Sequence, residues 1–109
     1  MPNKMFSFGA ERWPGLAKLN EECGEVIQII GKLMMTDGHV AHWSGDLGIA
    51  LIDEMADVEA AIRFLRKRLG GAARSYMTER ADAKLAKFEH WHAHPEEDVP
   101  PPLGGFDAK

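Results

Sequence analysis

Two long stretches free of proline, each with apolar residues at helical spacing, constrain this chain more than any other feature. The first begins at Pro14, which suits the opening position of a helix, and ends at Met35. Within it Leu16, Leu19, Cys23, Val26, Ile27, Ile30, Leu33 and Met34 recur on one side of a helix. Thr36-Asp37-Gly38 breaks the pattern, and residues 36–45 (TDGHVAHWSG) read as a loop holding two histidines and a tryptophan. Ser44 or Asp46 can cap a second helix. Its stripe is Leu47, Leu51, Met55, Val58, Ile62, Leu65 and Leu69, and it ends at Gly70-Gly71 after the cations Arg66, Lys67 and Arg68. A third helix is expected from about Ala72 to Trp91, with Met77, Ala81, Leu85 and Phe88 as its stripe. No β-alternation is long enough to suggest a strand. The expected fold is all-α: an antiparallel helical bundle of two long helices and a third. Residues 1–92 would be the helical domain, and residues 93–109, rich in proline and glycine, a tail.

Composition narrows the function. The chain has 109 residues, 45% of them hydrophobic, enough for one small domain with a core. A formal net charge of -4 argues against a nucleic-acid polymer or a membrane surface as partner, since both select basic proteins. The one cysteine, Cys23, excludes an internal disulfide and any paired-cysteine zinc site, and its place in the stripe suggests an inert core residue. No secretory signal or membrane span is evident, so a reducing, cytoplasmic location is expected.

The chemistry lies in four carboxylates. Glu22 and Glu25, and then Glu54 and Asp57, are spaced i, i+3, so each pair shares one helix surface. At about 100° per residue, Glu54 falls just beside the second apolar stripe and Asp57 lies next to it, in a sector shared with Ala50 and Ala61. Glu22 borders the first stripe and Glu25 sits one step further round. Packing the two helices antiparallel would bring the four acids to one edge of the core. Their repulsion there calls for a hard divalent cation, and oxygen-only ligands favour Mg²⁺ or Mn²⁺ over zinc. The plainer alternative is that each pair is solvated surface.

The segments EECGE (Glu21 to Glu25) and DEMAD (Asp53 to Asp57), with 28 residues between Glu25 and Glu54, resemble the two halves of the MazG-family signature, in its short, single-domain, phage-type form. The resemblance spans roughly residues 13 to 90. It implies an all-α nucleoside triphosphate pyrophosphohydrolase that yields a nucleoside monophosphate and pyrophosphate. It also implies Glu22, Glu25, Glu54 and Asp57 as metal ligands and catalytic residues, with Glu22 preferred over its neighbour Glu21. Mg²⁺ is the implied cofactor, with Mn²⁺ as substitute. Short members of the family assemble, so a homodimer or homotetramer is expected. Ile29 and Met35, apolar residues outside the main stripe, agree with that.

Further groups follow from the same resemblance. Arg80, Lys84 and Lys87 form a basic strip on the third helix and are candidates for holding the triphosphate; a solvated face is the bland alternative. Lys32 is a weaker candidate, and Lys18 has the spacing to pair with Glu22. Trp13 and Trp43, with His42, are candidates for stacking on the base, although a lone tryptophan is more often a packing residue. His90, His92 and His94 alternate near the end of the third helix. Two rival readings remain. One is a helical oligomerisation or interaction module without catalysis. The other is a carboxylate-bridged di-iron bundle, for which Glu89-His90-Trp91-His92 supplies one Glu-x-x-His where two are needed.

Overall fold

The computed structural model describes residues 12–96, and among them the fold is all-α: three helices and one very small β-hairpin. Helix α1 is Leu16–Met35, strands β1 (Ala41–His42) and β2 (Gly45–Asp46) follow, then helix α2 (Leu47–Arg66) and helix α3 (Gly71–Ala93). The chain divides between Leu69 and Gly70 into two compact units, so the α1–hairpin–α2 unit and the α3 unit are each described by themselves. Most of the expected tail, residues 97–109, lies outside the described residues. No helix among the described residues is long and apolar enough to cross a membrane.

Local chemistry sets the helix ends. At the C-terminus of α1, Thr36 is the cap and Asp37 adopts a left-handed conformation (φ 57°). Gly38 N donates to Leu33 O at 2.7 Å and Asp37 N to Met34 O at 3.2 Å. These are the two bonds of a Schellman closure, with aspartate in the position that glycine usually holds. The expected loop then differs from its reading. Ala41 pairs with Asp46 and His42 with Gly45, leaving Trp43-Ser44 as a two-residue turn. Two-residue strands are too short to produce a period-2 signal, which is why sequence patterning passes over them. The hairpin ends directly on a cap: Asp46 Oδ1 accepts from Ile49 N at 3.0 Å. Ser44, the other candidate cap, instead places Oγ 2.7 Å from His42 Nδ1.

Helices α1 and α2 pack antiparallel, because the start of α1 meets the end of α2 while Glu22 and Glu25 meet Glu54. On α2 the covered face is largely the expected apolar stripe, whereas on α1 it is turned away from it. On α1 the covered residues are Leu19, Glu22, Val26, Ile29 and Leu33; Cys23, Ile27, Ile30 and Met34 are exposed. On α2 they include Leu47, Leu51, Glu54, Val58, Ala61, Ile62 and Leu65, while Met55 is exposed. The seam has thus turned toward the carboxylate edge, and Cys23 is corrected from a core residue to a surface one. Ala61 and Gly15 are the small buried residues of this seam.

Gly15 combines two demands. Its φ is 95°, a region other residues enter only with strain, and a Cβ there would stand 2.5 Å from Phe64 Cδ2. Phe64 is in turn covered by Arg68, whose guanidinium lies 3.5 Å from the ring centroid and donates to Phe64 O at 2.7 Å. Gly31, inside α1, has open space around its Cα. Gly15→Ala is therefore expected to lower stability by about 2 kcal/mol or more through strain and overpacking. Gly31→Ala should raise it by about 0.5–1 kcal/mol through helix propensity. Urea midpoints of the two variants check this pair of opposite signs.

Candidate metal centre

The seam positions place Glu22 and Glu54 at the middle of the α1–α2 pair, where neighbouring side chains shut out water. Glu22 is only 8% exposed. Its Oε1 and the Oε1 of Glu54 are both buried without a hydrogen-bond partner. Glu25, one turn along α1, completes the group: one carboxylate oxygen from each of Glu22, Glu25 and Glu54 lies within 4.8 Å of the others. Oxygens bound to one Mg²⁺ at about 2.1 Å stand at most about 4.2 Å apart, so small side-chain movements suffice for shared ligation. Buried acceptors without donors are costly, and a cation satisfies them directly. The donor set therefore fits a hard divalent ion. Among the described residues this is the one group of three such ligands.

The electrostatics agree. The Glu54 carboxyl is pushed up to about 7, first by a hydrogen bond with Glu25, then by burial, then by repulsion from Glu25, Asp57 and Glu22. Glu54 thus keeps its proton to higher pH than a free carboxyl does. Lys18 stands at the rim: its Nζ lies 2.9 Å from Glu21 Oε1 and 3.3 Å from Glu22 Oε2. These two carboxylates, Glu21 first, hold the ammonium above its usual range.

The expected residues divide accordingly. Glu22, Glu25 and Glu54 come together, whereas Asp57 is exposed and acts on the group only through its charge on Glu54. Glu21 is exposed and engaged by Lys18, so Glu22 is the member of that adjacent pair that enters the seam. Lys32 is half-buried on α1. Trp13 and Trp43 are both exposed and stand at opposite ends of α1, a helix about 30 Å long, so one base cannot stack on both. Trp43 lies at the hairpin tip, its ring 5.1 Å from that of His42.

In the α3 unit, Arg80, Lys84 and Lys87 line a shallow groove with Tyr76 and Glu79, and all are exposed. Tyr76 was not expected there; it precedes Arg80 by four residues, a spacing that places the two on one helix face. His90 and His94 stack with ring centroids 4.3 Å apart, and His92 is exposed.

The raised Glu54 carboxyl sets a pH dependence. Between about 4.5 and about 7 the folded chain holds a proton that the unfolded chain releases. Metal-free protein should therefore lose stability as pH rises through this window. Mg²⁺ competes with that proton, so it should raise the melting temperature more at pH 8 than at pH 5.5. Glu54→Gln should flatten the metal-free pH profile and reduce the Mg²⁺ response. Thermal melts with chelator and with Mg²⁺ across this range measure both.

No family model, curated protein or solved structure matches this chain.

Proposed function

We propose that this chain is a Mg²⁺-dependent nucleotide pyrophosphohydrolase that cleaves a nucleoside triphosphate between its α and β phosphates. The observation that carries the reading is the pair of buried, unpartnered carboxylate oxygens on Glu22 and Glu54, set beside Glu25. The reaction class rests on the resemblance of EECGE and DEMAD to the MazG signature. Glu22, Glu25 and Glu54 would hold the ion, with Asp57 at the edge as a fourth ligand. Bound there, Mg²⁺ supplies charge neutralisation for the phosphates and makes water a better nucleophile. A carboxylate with a free oxygen would accept the proton of the attacking water. Arg80, Lys84 and Lys87 stay the candidate phosphate-binding groups of the α3 unit. For the base we keep Trp13 and Trp43 as alternatives. In ¹⁸O-water the label should appear in the nucleoside monophosphate, with intact pyrophosphate as co-product. Label in orthophosphate, with a diphosphate beside it, would refute the assignment. Glu25→Gln and Glu54→Gln should each lower turnover at least about a hundredfold while the metal-free fold persists.

We also propose that the chain works as a homodimer or homotetramer. Cys23, Ile27, Ile52 and Met55 line an open apolar groove running across both α1 and α2. A second copy is the simplest cover for so much apolar surface. That groove is also what favours the second reading, an oligomerisation module without catalysis. Sedimentation at micromolar concentration should show a dimer or tetramer, and a stable monomer would count against both readings. The nucleotide assay separates them.

A further inference from the structure

We propose that Lys18 is a resident counter-ion of the carboxylate centre that competes with the divalent cation for Glu22 and passes to Glu21 when the cation enters. The inference rests on the metal reading above and adds to it a control on affinity. Its ammonium is shared: 3.3 Å from Glu22 Oε2, inside the seam, and 2.9 Å from Glu21 Oε1, outside it. Glu22 has one oxygen engaged by Lys18 and the other buried with no partner, so the ammonium answers only part of the buried charge. A monovalent and a divalent cation on one carboxylate repel each other, and the lysine is the mobile one. Glu21 gives it a place to go one helical turn away, on the exposed side of α1. Exposed pairs of this kind are weak in water, so the transfer meets little resistance. Lys18 is thus a positioning residue: it keeps the empty centre from unbalanced charge and sets the concentration at which metal displaces it.

The experiment is a Mn²⁺ titration of the full chain, followed by the electron paramagnetic resonance signal of free Mn²⁺. Wild type is compared with Lys18→Met, Lys18→Arg, Glu21→Gln and the Lys18→Met/Glu21→Gln double variant. Lys18→Met should bind Mn²⁺ roughly three- to tenfold more tightly, because a competing charge is gone. Lys18→Arg, which keeps the charge, should bind no more tightly than wild type. Glu21→Gln should bind about two- to fivefold more weakly, because the ammonium then rests on Glu22 alone. The double variant decides between exchange and a general field effect. If Glu21 acts through Lys18, Glu21→Gln has no effect once Lys18 is removed, and the two changes are not additive. Equal weakening in both backgrounds would mean that Glu21 is only a nearby charge and would overturn the inference. So would a Lys18→Met protein with wild-type affinity. If wild type itself binds no Mn²⁺, the metal reading fails and not merely the role of Lys18.

Discussion

A carboxylate almost out of water in the seam between two helices is the constraint on which this unit turns. An apolar residue in the place of Glu22 would leave α1 and α2 an ordinary antiparallel pair. With Glu22 there, and Glu54 opposite, the middle of the seam carries charge that the surrounding side chains cannot solvate. The structure meets this demand in two ways. Glu25 hydrogen-bonds Glu54 and pushes its carboxyl up, and Lys18 leans in from the rim. The two orphaned oxygens still lack a partner, and that is the demand a cation would meet.

That demand also accounts for how the helices are joined. Holding acids face to face requires a fixed register between α1 and α2, and both ends of the pair supply it. At one end Gly15 seats under the ring of Phe64, which Arg68 covers. At the other the Schellman closure, the hairpin and the Asp46 cap succeed one another without slack, and Leu47, 1% exposed, anchors the start of α2. Leu47 N donating to Val40 O at 2.8 Å ties the hairpin to the helix it introduces.

The helices were legible in the sequence because their period is long and uninterrupted, and the acids stood out because they border that period. The orientation of the packed face was less legible. Averaged apolar stripes place Cys23, Ile27 and Met55 inside, yet they are exposed, while Ile29, outside the stripe, is half-buried. Which flank of a broad apolar face is used depends on the partner helix, and no single helix encodes that. Asp57 lies one step beyond Glu54 on the same side of α2 and stays exposed at the rim of the group. Lys18 was visible as an i, i+4 partner of Glu22, but its simultaneous hold on Glu21 depends on side-chain geometry that spacing alone does not fix.

The raised Glu54 carboxyl has a calorimetric consequence. An ion that bound Glu54 near neutral pH would expel up to about one proton into the medium, because metal ligands bind deprotonated. The heat of ion entry would then include the heat with which the buffer captures that proton. Titrations in phosphate and in Tris, otherwise identical, would return different apparent enthalpies for one and the same affinity. The difference between them would count the protons that the seam gives up.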